Sequence, residues 1–198
     1  MKKSWIIIGI LVLIGIILLL TLPATYNRLV QAEETVNNSW ANVQGAYQRR
    51  ADLIPNLVST VKGYADFEQE TLIRVVEQRA NATKPTFNVD PAKLDENTLA
   101  QFQKAQDELG SALSRLLVVV EKYPDLKANQ NFLQLQAQLE GTENRINVER
   151  RNFNETVKVY NTSLKRFPTN LLAGLFGFTQ KPYFQAQAGA DEAPKVEF

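Results

Sequence analysis

A chain of 198 residues with 22 basic and 21 acidic side chains carries a formal net charge of +1, and it contains neither histidine nor cysteine. Those two absences remove disulfides, thiol nucleophiles, Cys/His zinc sites, Ser-His-Asp triads and imidazole acid-base chemistry from the chain itself. Setting Lys2 and Lys3 aside leaves 20 basic against 21 acidic residues, which offers no basic face for nucleic acid, and no glycine-rich phosphate loop is present.

The first element is an uncharged apolar run from Trp5 to Leu22. Its roughly 18 residues fall within the ~17–25 that a helix needs to cross a hydrocarbon core. A cleaved signal peptide has a shorter apolar region, about 7–15 residues, closed by a small-x-small site. Leu22-Pro23-Ala24-Thr25 only half fits that pattern, and amphipathic periodicity resumes at Tyr26. The run therefore reads as an uncleaved single-pass anchor. Lys2 and Lys3 on one side, against Arg28 on the other, put the amino terminus in the cytoplasm and the body outside.

Beyond the anchor, alternating three- and four-residue spacing marks helices that each bury one seam. The first seam reads Tyr26, Leu29, Glu33, Val36, Trp40, Val43, Tyr47, Arg50, Ile54, Leu57, Val61 and Tyr64. It runs through Pro55, which should bend the helix without ending it. Gly63 marks a turn, and Asp66-x-x-Gln69 reads as the cap of a second helix reaching about Arg79. Pro85, Asn88, Pro91 and Asp95 make a loop of residues 83–97.

Thr98-x-x-Gln101 reads as the cap of a third helix with the seam Leu99, Phe102, Gln106, Leu109, Leu113, Leu116, Val120 and Tyr123. Pro124 ends it and opens the fourth helix, whose seam is Asn129, Phe132, Gln136, Leu139, Glu143, Ile146, Arg150, Phe153, Val157, Tyr160, Leu164 and Phe167. At 1.5 Å per residue the four helices are roughly 55, 25, 40 and 60 Å long. Short connections favour antiparallel neighbours, so the fourth helix should run back along the first and bring Phe167 to the bilayer. The apolar piece from Asn170 to Phe178 would land on the membrane surface or cover the bundle base.

The expected fold class is thus all-α: an N-terminal transmembrane helix continuing into a long antiparallel up-and-down four-helix bundle. Residues 1–25 form the cytoplasmic tip and anchor, 26–184 the bundle with its apolar C-terminal segment, and 185–198 a disordered tail.

Three charged residues, Arg50, Glu143 and Arg150, occupy seam positions. Counted from Tyr26 and Phe167, Arg50 and Glu143 each sit about 36 Å along an ideal helix, so they should face each other as a partly buried, register-fixing ion pair. Arginine is a poor acid or base, and no nucleophile adjoins it. Glu33, Glu68, Glu70, Asp107 and Glu108 read as solvated faces rather than metal ligands, because di-metal bundle sites use Glu-x-x-His pairs. The aromatic stripe of Trp40, Tyr47, Tyr64, Phe102, Tyr123, Phe132, Phe153 and Tyr160 reads as core. Val196-Glu197-Phe198 has the form of a C-terminal peptide open to strand addition, with a frayed terminus as the plainer reading. No catalytic, cofactor-binding or metal residue is assigned.

The stretches Tyr26-Asn27-Arg28-Leu29-Val30, Trp40, Arg49 to Val58, Val61 to Ala65, Tyr123 to Ala128, Thr142 to Ile146, Tyr160-Asn161, Phe176-Gly177-Phe178 and Tyr183-Phe184 resemble the LemA family of bacterial membrane proteins. Phe153 stands where that pattern would carry tyrosine, and Asp66 where another polar residue is usual. The resemblance covers nearly the whole chain past the anchor. It implies a single-pass protein of the bacterial cytoplasmic (inner) membrane with a long helical bundle and no established enzymatic activity.

The function expected is a non-enzymatic scaffold or adaptor at the cell envelope, docking unidentified membrane or envelope proteins or further copies of itself, with no cofactor. The alternative is a periplasmic or extracellular sensor module. Since only about four residues precede the run in this sequence, such a module would signal through a separate partner. A pilin-like subunit fits less well, for want of a Gly-Phe-type processing site, and a hydrolase least of all.

Overall fold

The computed structural model describes residues 2–63, 68–84, 91 and 94–185, with the side chains of 2–4, 7, 11, 14 and 16–20 outside the description. Among the described residues every regular element is a helix: α1 (Lys2–Lys62), α2 (Gln69–Ala82), α3 (Glu96–Val120), α4 (Pro124–Lys127), α5 (Gln130–Lys165) and α6 (Thr169–Leu175). The apolar run is the first part of α1. Among the described residues no helix is long and apolar enough to cross a membrane, so the transmembrane part of the expectation does not follow from the fold.

Along α1 the seam is buried from Leu29 through Val36, Trp40, Val43, Tyr47, Arg50, Ile54 and Leu57 to Val61. Tyr26 is exposed and Tyr64 lies outside the described residues. The helix passes through Pro55. Proline donates no hydrogen bond to the carbonyl four residues back, which leaves the buried Ala51 carbonyl without its helical partner. Arg79 of α2 supplies one, Nε donating to the Ala51 oxygen at 2.8 Å. The defect that Pro55 makes in α1 is therefore the point where α2 is fastened to it.

Helix ends account for most departures from the expected boundaries. The N-cap of α2 is Glu68, which makes no side-chain capping bond, and the expected cap Asp66 lies outside the described residues. α2 continues past Arg79 to Ala82. α3 is capped by Asp95, whose carboxylate accepts the Thr98 amide at 2.7 Å. Thr98 is thus the third helical residue rather than the cap. The hydrogen bonds from Thr98 hold the Asp95 carboxyl below its ordinary range. In the loop expected over 83–97, residues 85–90 and 92–93 lie outside the described residues, and α3 already begins at Glu96.

The expected fourth helix is split. Pro124 opens the single turn α4, which seats the fully buried Leu126, and a new helix then starts. Asn129 is not a seam residue but the cap of α5, its side-chain oxygen accepting the amides of Asn131 and Phe132 at 3.0 and 3.1 Å. α5 stops at Lys165, so Phe167 leaves the seam and is 80% exposed.

Helices α1 and α5 make the most extensive pairing, with α2 packed on α3 and on α1. The register of α5 against α1 is fixed by Trp40 on Phe153, 5.6 Å between ring centroids, by the Ser39 and Thr156 hydroxyls at 2.7 Å, and by Arg50 on Glu143 at 2.9 Å. These pairs advance along α1 as they retreat along α5, so the helices are antiparallel, as expected. Two apolar clusters share the interior. The one distal to the apolar run joins Ile54, Leu57, Val61, Leu109, Leu116, Leu126 and Phe132; the proximal one joins Leu29, Trp40, Phe102, Phe153, Val157 and Tyr160.

The pairing of Pro55 with Arg79 makes a two-step test. Replacing Arg79→Met should cost about 1–3 kcal/mol, because it orphans a buried carbonyl. In a Pro55→Ala background the helix closes its own bond to Ala51, and the same change should cost under about 1 kcal/mol. Chemical denaturation of the four chains measures both; equal costs in the two backgrounds would show that Arg79 does not serve the proline defect.

Candidate functional site

Between the two apolar clusters lies a polar layer built on Arg50. Its guanidinium enters from α1, donates from Nη1 to Glu143 of α5, and donates from Nη2 to both the backbone carbonyl (3.0 Å) and the side-chain oxygen (2.8 Å) of Gln106 in α3. Gln106 in turn donates to the carbonyl of Ala82, the last residue of α2. The fork thus ties α1 to α3 and α5, and Gln106 extends the layer to α2. The guanidinium also lies over Tyr47, 5.1 Å from the ring centroid. Burial holds the Tyr47 phenol above its ordinary pKa, although Arg150 and Arg50 pull the other way.

The expected facing of Arg50 and Glu143 is present, and it is unequal. The Arg50 side chain is 5% exposed and that of Glu143 51%. A half-wet carboxylate adds little to stability, whereas removal of a buried fork strands several acceptors. The energetic centre of the layer is therefore Arg50 with Gln106. Gln106 appears in the expected seam, but its spacing alone carries no sign that it caps the arginine.

Arg150, the third charged seam residue, does not join this layer. It lies over the Phe184 ring at 4.8 Å and donates to the Gln185 carbonyl at 3.0 Å. Gln185, assigned to a free tail by the sequence reading, also accepts from Gln103 at 3.1 Å; residues 186–198, with Val196-Glu197-Phe198, lie outside the described residues.

Residues 181–185 form a strap laid along α5. Asn161 donates to the Lys181 carbonyl and accepts the Lys181 amide, both at 2.9 Å, while Asn154 does the same for Phe184 at 3.0 and 2.9 Å. Seven residues of helix and three residues of extended chain each span about 10 Å, so the two asparagines meet the strap in step. Phe184 is buried against Trp40 and Phe153. Lys181 is buried and pairs with Glu33 at 2.9 Å. Tyr160, deep in the proximal cluster, has its phenol pushed up by burial and then by the Glu33 charge.

The remaining carboxylates considered as ligands stay apart. Glu68 and Glu70 lie at the start of α2, and Asp107 and Glu108 border a groove of about 820 Å³ along α3, shared with Arg74, Lys104 and Arg115. Among the described residues no three acidic, histidine or cysteine side chains gather as a metal site.

At the other end of the bundle α6 closes over α1. The model of the LemA family matches residues 39–198, from Ser39 within α1 through the strap to the last residue. The chain belongs to the LemA family. Curated relatives agree with that placement. Protein LemA of Metamycoplasma hominis is 27% identical over 160 residues, covering 81% of this chain and 68% of that protein. Magnetosome protein MamQ 2 of Paramagnetospirillum magneticum is 26% identical over 186 residues, covering 86% of this chain and 68% of the relative. Magnetosome protein MamQ of Magnetospirillum gryphiswaldense is 25% identical over the same length and shares. In this LemA-family chain the matched region contains the whole polar layer and the asparagine-bound strap.

Removal of the guanidinium should be far costlier than removal of its carboxylate. Arg50→Ala is expected to lose about 3–5 kcal/mol and Glu143→Gln about 1 kcal/mol or less. Exchanging the charges, Arg50→Glu with Glu143→Arg, should not restore the loss, because a carboxylate cannot donate to Gln106. Thermal unfolding of the full chain checks all three; full recovery in the exchanged pair would show that the ion pair alone matters.

Proposed function

We propose that this chain is a membrane-anchored, non-enzymatic scaffold or adaptor of the cell envelope, whose bundle projects from the bilayer and presents helix faces to partner proteins or to further copies of itself. The observation that carries the anchoring half is on α1. Trp5, at 75% exposure, heads a row of exposed apolar side chains that continues through Ile6, Ile8, Ile10, Val12 and Leu13, in a run without a single charge. Apolar surface of that extent needs a cover, and an uncharged run of about 18 residues matches a hydrocarbon core. The basic residues Lys2 and Lys3 favour a cytoplasmic amino terminus and a bundle on the periplasmic or outer face.

The scaffolding half is supported by chemistry and by kinship. A chain without histidine or cysteine, with the deeply buried Arg50 engaged in joining helices, has the means to hold shape and little means to move protons. Relatives named as magnetosome proteins suit a part in assembling a cellular structure. An anchored rod gathers its copies in one plane, which raises their effective concentration and favours weak lateral contacts.

The chain in native membranes should resist extraction at alkaline pH, be cleaved by protease added outside intact spheroplasts, and yield dimers or larger species on brief amine crosslinking. Release into the alkaline supernatant would remove the anchor, and protection from external protease would reverse the orientation. Monomer alone, with no crosslinked partner, would remove the scaffold role.

A further inference from the structure

The segment from Pro168 to Gln180 carries no charge and contains the exposed apolar side chains of Leu171, Leu175 and Phe176. α6 turns the buried Ala173 inward and leaves Leu171 at 65% and Leu175 at 76% exposure, one helical turn apart on its open side, with Phe167 exposed just before them. The helix is short, but its end is locked. Gly177 has φ of +78°, the Phe178 amide donates to the Ala173 carbonyl at 2.9 Å, and the Gly177 amide reaches the Gly174 carbonyl at 3.4 Å. Those two bonds and the left-handed glycine make a Schellman end, which only glycine enters without strain. The open face is therefore held in place rather than frayed.

Its position identifies the cover. Phe176 and Phe178 pack on Tyr26 with ring centroids 5.1 and 5.8 Å apart, and Tyr26 stands four residues after Leu22, the end of the apolar run. Four residues of helix rise about 6 Å. α6 is thus tied to the point where α1 would leave the hydrocarbon, the level at which aromatic side chains collect. Exposed Lys165 and Arg166 immediately precede the uncharged segment, and cations beside an apolar face suit anionic headgroups.

We propose that α6 is an interfacial foot: it lies on the same bilayer that holds α1, with Phe167, Leu171 and Leu175 immersed at the headgroup boundary and Lys165 and Arg166 against anionic lipid. This inference rests on the anchoring reading of α1. Because α1 already holds the chain at the surface, contact by α6 is intramolecular and requires little intrinsic affinity. The foot fixes the bundle's tilt, which a lone helix crossing leaves free.

The absence of cysteine gives a clean test. Full-length chains carrying one substitution each, Leu171→Cys, Leu175→Cys, Ile10→Cys or Val159→Cys, are labelled with a nitroxide. They are reconstituted into vesicles of phosphatidylethanolamine and phosphatidylglycerol and read by collision with oxygen and with a water-soluble nickel chelate. Labels at 171, 175 and 10 should favour oxygen, and the label at 159 should favour nickel. Lys165→Gln with Arg166→Gln, or vesicles of phosphatidylcholine alone, should raise nickel access at 171 and 175 several-fold and leave position 10 unchanged. In the anionic vesicles, with Lys165 and Arg166 in place, nickel access at 171 and 175 while position 10 stays in lipid would overturn the foot and spare the anchor. Shielding of both positions from both reagents would overturn it in favour of a protein cover. Nickel access at position 10 would overturn the anchor, and the foot with it.

Discussion

A helix of 61 residues cannot hide a seam by itself, and the structure depends on how α5 covers that seam. The two run antiparallel with a register set by ring contacts, paired hydroxyls and a guanidinium on a carboxylate at successive levels. Because α5 is long and descends, it returns the chain to the place where α1 begins to be buried. The position of α6 beside Tyr26, the strap against Asn154 and Asn161, and the entry of Phe184 between Trp40 and Phe153 all follow from that return. Had α5 slipped by one turn, about 5.4 Å, each of these pairings would be lost together.

The interior is divided rather than continuous. An apolar cluster fills each half, and the Arg50 layer lies where they meet. Such a layer adds little net stability compared with well-packed hydrocarbon, but it penalises every register in which the guanidinium would be buried without partners. A long bundle with a repeating seam has many nearly equivalent registers. One buried arginine with acceptors on α3 and α5 selects among them, and Pro55 with Arg79 does the same for α2. Specificity in this rod is carried by two arginines that each answer a polar demand of the backbone or side chains around them.

Much of this was legible in the sequence. The seams of α1, α3 and α5 were readable because helical periodicity repeats many times in each, so a single exception such as Glu33 or Gln136 does not blur the pattern. The facing of Arg50 and Glu143 followed from length alone. The cap of α3 was misplaced by three residues because Asp95 and Thr98 are both good caps by type, and only geometry tells which one accepts the amide. The split at Asn129 was hidden because the same asparagine fits a seam spacing and a cap equally well. The strap was not legible at all: asparagines at 154 and 161 carry no periodic apolar signal, and their pairing depends on a backbone that is 20 to 30 residues away in sequence. Nor did Pro55 announce Arg79, since a proline shows which carbonyl it orphans but not which side chain will reach it.

The antiparallel pairing of α1 and α5 makes a rod with two unlike ends. The apolar run, Tyr26 and α6 gather at one end, while α4 closes the other with Leu126.

The most direct test of the antiparallel return is disulfide trapping in this cysteine-free chain. Ser39→Cys combined with Thr156→Cys places thiols where the native hydroxyls are 2.7 Å apart, and mild oxidation should crosslink that pair rapidly within one chain. Ser39→Cys combined with Gln136→Cys, about 30 Å further along α5, should not crosslink. Rapid closure of the first pair alone is the expected result; failure of that pair, or equal closure of both, would contradict the descent of α5 along α1.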